Sequence, residues 1–199
     1  IVKKIAVSDV SKPRSTGVRV MNMPVDGSDI LISVMRVSDK QQVLLTTSDG
    51  KAIRFNSDDV RQMGRASYGV RGIELNTGDE VVSLVPVPLK DSQKTSILTV
   101  TNKGYGKRSA LEDYRLTGRG GKGVINLKPA EKNGEVVRSL PVTEDSSIIA
   151  TTKQGMVVRI SMDELREMGR ATQGVRVVKL KDTDKIADVV LVADDEAKV

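Results

Sequence analysis

The sequence predicts an all-β, propeller-like chain of about four blades, each built from four short strands. Three observations carry this expectation. A glycine-led, β-rich stretch returns every fifty-odd residues, a glycine-turned hairpin recurs in the same register, and a turn followed by an apolar strand closes each unit.

The chain opens with Ile1-Val2-Lys3-Lys4-Ile5, which matches only the second strand of such a hairpin. With neither an initiator Met nor a signal-peptide core, it reads as starting inside a repeat and inside a longer polypeptide. The first glycine-led stretch is Gly17-Val18-Arg19-Val20. It returns as Gly69-Val70-Arg71-Gly72-Ile73, Gly123-Val124-Ile125-Asn126-Leu127 and Gly174-Val175-Arg176-Val177-Val178, at spacings of 52, 54 and 51 residues. Hairpins are expected where 43–47 turns at Ser48-Asp49-Gly50 into 51–55, where 97–101 turns at Asn102-Lys103-Gly104 into 105–109, and where 148–152 turns at Lys153-Gln154-Gly155 into 156–160. Closing strands are expected at 30–37, 81–87, 136–142 and 186–192, after turns at Asp26-Gly27-Ser28, Asn76-Thr77-Gly78, Asn133-Gly134 and Asp182-Thr183-Asp184. The units therefore divide as 1–38 (part of a first blade), 39–90, 91–143 and 144–193, with 194–199 as the start of a tail. Short helical turns fit the loops at 57–63 and 161–168, where Ser57 and Ser161 offer N-cap chemistry. The same strand count also fits a β-solenoid or two sandwiches.

Composition excludes most chemistry. The 199 residues contain no Cys and no His, which removes disulfides, thiolate and imidazole metal sites, Cys nucleophiles and Ser-His-Asp triads. No pair of ionisable residues stands out as an acid–base couple, so neither a catalytic nor a metal site is expected. No apolar run reaches the ~20 residues of a membrane-spanning helix, and the lack of Cys fits a reducing cytoplasm.

Charge points to a polyanion. Lys plus Arg is 32 against 26 for Asp plus Glu, a net +6 with a pI near 9.5. Three Tyr, one Phe and no Trp leave little on which to stack unpaired bases, so duplex suits the chain better than single strands. The cations also keep register with the repeat. Arg54, Arg108 and Arg159 stand four residues after the hairpin glycine, with Lys4 at that place in the first unit. Arg65, Arg119 and Arg170 stand four residues before the anchor glycine, with Arg14 one position later in the first unit. Arg19, Arg71 and Arg176 stand two residues after it, where the third unit has Ile125. Equivalent positions of stacked repeats fall along one edge, so these residues, with Lys107 and Lys122, are expected to form one basic track. The competing reading pairs the arginines with Asp58, Asp59, Asp163 or Glu164.

The third unit carries Thr117-Gly118-Arg119-Gly120-Gly121-Lys122-Gly123. Its glycines let the backbone approach another surface, and Arg119 and Lys122 supply charge suited to a phosphate. No Ser or Thr follows Lys122, so it is not a Walker A loop. Arg119-Gly120-Gly121-Lys122-Gly123 resembles the core of the GyrA box, Gln-Arg-Arg-Gly-Gly-Lys-Gly, of the DNA gyrase A C-terminal domain family, with Thr117 and Gly118 in place of the opening Gln and Arg. Gly50-Lys51 to Phe55, Gly69 to Ile73, Asp79 to Leu84, Gly104 to Arg108, Gly169-Arg170 and Thr172 to Val175 are similar to the same family, so the likeness covers essentially the whole chain.

That resemblance implies a β-pinwheel, usually of six blades, that wraps double-stranded DNA around a basic rim and so supports negative supercoiling. It implies a non-catalytic domain without cofactor, because the cleavage tyrosine and the ATP and Mg sites of the family's enzyme lie elsewhere. The implied partners are DNA, the rest of gyrase A and gyrase B in an A2B2 holoenzyme, with no membrane, in the cytoplasm at the nucleoid. The family's box belongs to its first blade, whereas two units precede this motif. The motif is therefore read as a box-like variant of the loop present in every unit, and the units as resembling the third to sixth blades. Asp194-Asp195-Glu196 resembles the start of the family's acidic tail. The topoisomerase IV counterpart of gyrase A is the close paralogue and implies DNA bending; a propeller used as a protein-interaction scaffold is the remaining alternative.

Overall fold

The three expected hairpins form. In the computed structural model, which describes residues 1–88, 94–181 and 183–192, they are β1 (Gln42–Thr47) with β2 (Lys51–Asn56), β4 (Ser96–Thr101) with β5 (Tyr105–Ala110), and β8 (Ser147–Thr152) with β9 (Val157–Ser161). Each closing strand pairs antiparallel with the first strand of its own hairpin: β3 (Val81–Pro86) with β1, β7 (Val136–Val142) with β4, and β11 (Ile186–Leu191) with β8. These three strands also pack on one another, β3 against β7 and β7 against β11, which puts them on the inner side of the array. Asp182 of the last expected turn and the expected acidic tail lie outside the described residues.

The fourth strand of a blade comes from the next repeat. The anchor stretch of the third unit is β6 (Val124–Ile125), and it pairs with β2 of the second unit, giving the order β3-β1-β2-β6. The anchor stretch of the fourth unit is β10 (Val175–Arg176), which pairs with β5 of the third, giving β10-β5-β4-β7. Val70 of the second unit makes the same antiparallel bridge to Val2 of the first. The expectation that each unit folds into its own blade is corrected accordingly: blades are completed by exchange. The anchor glycine makes the crossing possible. At Gly174 φ is +73° and an added Cβ would lie 2.5 Å from the carbonyl oxygen of Gly106; at Gly69 φ is +99° and the distance to Val2 O is the same 2.5 Å. Only a residue without Cβ fits both the left-handed backbone and the contact.

Exchange also explains where four-stranded blades fail to appear. Residues 30–37 form no strand, because residues 1–199 hold no first hairpin strand for that unit; Ile30, Leu31, Ile32 and Val34 are exposed. The last sheet has three strands, β11-β8-β9, because no following anchor stretch pairs with β9. Among the described residues the array is thus two four-stranded sheets and one of three. The core fills the spaces between sheets: Leu98, Val100, Ile148, Ala150 and Ile186 cluster on one side, and Leu44, Ala52, Val85, Ile97, Leu111 and Tyr114 on another. Short 3-10 turns at Ser57–Asp59 and Leu111–Asp113 follow β2 and β5, but neither has a side-chain cap, and the Ser57 hydroxyl is buried without a partner. No helix among the described residues is long and apolar enough to cross a membrane.

Candidate nucleic-acid interface

Each long loop lies on the anchor segment of the unit before it, and the docking repeats bond for bond. Asn22 N–H donates to Ser67 O at 3.1 Å, Glu74 to Gly121 O at 2.9 Å, and Lys128 to Thr172 O at 2.9 Å. The arginine four residues before the anchor glycine sits on this seam. Arg119 donates Nε to Asp59 O (2.8 Å) and Nη1 to Arg71 O (3.0 Å); Arg170 donates Nε to Asp113 O (3.0 Å) and Nη1 to Ile125 O (2.8 Å). Two carbonyls from the preceding unit therefore fix the same planar guanidinium in the same pose at both junctions, which spares entropy when an anion is met. Arg65, Arg71, Arg119 and Lys122 are exposed and Arg170 is half-buried.

These charges are not neutralised. Among the described residues, no carboxylate oxygen lies within 4.0 Å of Arg14, Arg19, Arg65, Arg71, Arg119, Arg159, Arg170 or Arg176, so the reading that pairs the arginines with neighbouring acids does not describe them. Lys122 stands 4.0 Å from Glu74 with its side chain 81% exposed, a contact of little energy. Arg14, Arg19 and Arg159 are exposed, and Arg176 packs 5.5 Å from the centre of the Tyr105 ring while Nη2 donates to its hydroxyl at 3.2 Å. That hydrogen bond, outweighing burial, holds the Tyr105 phenol below its ordinary value.

Four expected contact residues serve inside the protein instead. Arg54 donates Nε to Gln42 Oε1 at 2.8 Å and Nη1 to Leu111 O and Tyr114 O of the next unit at 2.9 and 3.2 Å. Lys4 grips the equivalent turn, donating to Ser57 O at 3.2 Å and pairing with Asp58 at 3.1 Å. Arg108 is 8% exposed beside Glu167, with which its strand makes a parallel bridge. Lys107 is fully buried, so its ammonium meets no external ligand. The position four residues after the hairpin glycine is mainly a blade-to-blade clamp, because the following unit covers that edge of the hairpin; Arg159, for which residues 1–199 hold no following unit, is exposed.

Other cations escaped the sequence reading. Arg61, Arg115 and Arg166 each follow a buried residue, Val60, Tyr114 or Leu165, and all three are exposed. Their common place after a core residue was the available signal. Lys51 stands directly across from Ile125 in the β2–β6 pair, where the next sheet has Tyr105 across from Arg176. The gap at Ile125 is thus filled by a cation on the opposing strand. At the box-like loop, Gly120 N–H donates to Gly72 O at 2.7 Å, and Arg115, Lys122 and the glycine backbone line a recess of about 190 Å³ floored by Ile53. A buried polar node anchors the loop's exit: Asn126 Nδ2 donates to Thr99 Oγ1 at 3.0 Å, and the Tyr114 hydroxyl donates to Asn126 Oδ1 at 2.5 Å.

Fold and surface together define a strand-exchanged repeat protein of the β-propeller class, with arginines repeated along its junctions. The family model described as DNA gyrase C-terminal domain, beta-propeller, matches residues 1–38, 41–88, 95–143 and 146–193. The chain belongs to that family. It is 43% identical over 183 residues to the DNA gyrase A protein of Lawsonia intracellularis and 40% identical over 198 residues to that of Salmonella typhimurium, covering 92% and 98% of this chain. It spans 22% of the length of each, about a fifth. A solved DNA gyrase A C-terminal domain superposes with a TM-score of 0.81 at 30% identity, over 89% of this chain and 59% of that one. The C-terminal domain of a DNA topoisomerase IV superposes with a TM-score of 0.86 at 22% identity, over 96% and 58%, which speaks for the fold alone.

Proposed function

We propose that the chain is a non-catalytic segment of a gyrase A polypeptide that binds double-stranded DNA without sequence preference and bends it along its junction cations, supporting negative supercoiling by the holoenzyme. The observation that carries this reading is the fixed, unneutralised guanidinium of Arg119 and Arg170, repeated at successive junctions beside Arg71 and Lys122. Phosphates recur along a duplex as the junctions recur along the protein, and contact with them releases counterions without reading bases. A bend over a few tens of base pairs costs several kcal/mol, which a row of contacts offsets. The DNA-contact set is Arg14, Arg19, Arg65, Arg71, Arg119, Lys122, Arg159, Arg170 and Arg176, extended by Arg61, Arg115, Arg166 and Lys51. Its partners are the remainder of gyrase A and gyrase B in an A2B2 assembly at the cytoplasmic nucleoid, with ATP and Mg bound elsewhere in that assembly.

The test is a titration of a labelled duplex at rising salt. Affinity is expected to fall by orders of magnitude between about 50 and 200 mM salt, linearly in log–log form. Binding that is absent at low salt, or independent of salt, rejects the reading; salt-independent capture of a protein ligand would point to a scaffold instead.

A further inference from the structure

A lysine at one repeat position lies under two of the arginine-bearing loops. Lys107 lies in the middle of β5 with no exposed surface, and its Nζ donates to Ser109 Oγ at 2.8 Å, to Gly169 O at 3.0 Å and to Arg170 O. Ser109 Oγ in turn donates to Met168 O at 2.8 Å, so lysine and serine together hold three consecutive carbonyls of the next unit's loop. Lys3 occupies the same repeat position in the first unit, and its Nζ donates to Arg65 O at 2.6 Å, Ser67 O at 2.9 Å and Val20 O at 2.9 Å. Both loops are braced a second time from within: Ser67 Oγ donates to Gly64 O and Thr172 Oγ1 to Gly169 O, each at 2.9 Å. The middle junction has neither brace. Ile53 stands where the lysines stand, and Gly121 where the hydroxyls stand.

We propose that Lys107 and Lys3 are positioning residues, whose ammonium groups hold the loops carrying Arg170 and Arg65 in the shape that meets DNA. An ammonium has three donors, and each of these has three acceptors, so the charged form satisfies its site completely. A neutral amine keeps two of the donors and is spared the cost of burying a charge. The charged groups facing Lys107 are Asp113 from the 3-10 turn and Arg170 from the loop itself; Tyr114, beside them, is kept neutral by burial. Burial pushes the Lys107 amine down to about 7, with Asp113 opposing that shift and Arg170 adding to it. Burial likewise lowers Lys3. Release of the loop would return the amine to water and toward its ordinary value, so the docked loop, and with it the arginine placement, is favoured as pH rises from 7.

This inference rests on the DNA-binding reading, and the experiment separates the two. Binding of a labelled duplex at fixed salt is measured for the full chain and for Lys107→Met, Lys107→Arg and Lys3→Met between about pH 6 and 9, with folding checked by circular dichroism. Wild type is expected to gain affinity about three- to tenfold from pH 6 to 9, as the docked loop becomes the favoured form. Lys107→Met is expected to bind that much more weakly than wild type at pH 9 and to respond less to pH, and Lys107→Arg, charged throughout, to lack the slope. Should Lys107→Met fail to fold, Lys3→Met, at the more exposed site, decides by the same two readouts. Equal affinity and equal pH slope in wild type and the folded Met variants overturn the assignment; absence of binding by wild type at low salt overturns the DNA reading instead.

Discussion

Two arginines that look alike in the repeat do different work. Arg54 commits its guanidinium to Gln42, Leu111 and Tyr114, whereas Arg119 uses two backbone carbonyls and stays exposed. Arg54→Ala is accordingly expected to lower the unfolding free energy in urea by about 1–3 kcal/mol, since it orphans buried carbonyls. Arg119→Ala is expected to leave that free energy within about 0.5 kcal/mol and to reduce the salt slope of DNA binding by about one. Equal effects of both on both measurements would contradict the division. Lys107 adds a pH dependence to stability. Its folded value of about 7 lies below the ordinary 10.5, so between those limits the unfolded chain binds a proton that the folded chain does not. This contribution is complete above 10.5 and lost as pH falls toward 7, so the melting temperature of wild type relative to Lys107→Met is expected to rise from pH 7 to 9. The phase of these cations was legible in the sequence; which of them face solvent was not. A strand read as an outer edge promises exposure for Lys107 and Arg108, but the next unit's loop covers it, and nothing in the local spacing announces that cover.

At the scale of elements, turn chemistry and alternation were enough to place all three hairpins and three of the four closing strands. Of the four expected anchor stretches, two form strands, at Val124–Ile125 and Val175–Arg176, Val70 makes a single bridge and 17–20 forms no strand; those that pair do so with the preceding unit, whereas sequence order suggests that a unit completes itself. What decides the matter is steric: the left-handed glycine sets the following residues against the preceding unit's hairpin. Gly174→Ala places a methyl group against the Gly106 carbonyl at a φ of +73°. The expected cost is about 1–3 kcal/mol of strain, and amide exchange in β5 should quicken before that in β8. Uniform quickening throughout the molecule would mean that the crossing does not act locally. The 30–37 segment makes the complementary point, since apolar alternation alone formed no strand where the chain holds no hairpin strand to receive it.

For the whole molecule, contacts run between neighbouring units, so stability and binding should both behave as sums over junctions. Arg65→Glu and Arg170→Glu sit at different junctions. Their effects on DNA affinity are expected to add within about 0.5 kcal/mol, and the double variant to lose roughly two units of salt slope. Strong non-additivity would show the two junctions to be coupled. The exchange of strands also sets an order of manufacture. A ribosome finishes β2 with Asn56 and delivers its outer partner only at Val124, roughly seventy residues later. At about 5–20 residues per second, a nascent blade waits on the order of several seconds with one flank bare. The polypeptide must therefore guard an unfinished sheet during translation, and slow codons between Asn56 and Gly123 would lengthen the interval in which a neighbouring nascent chain could take the vacant place.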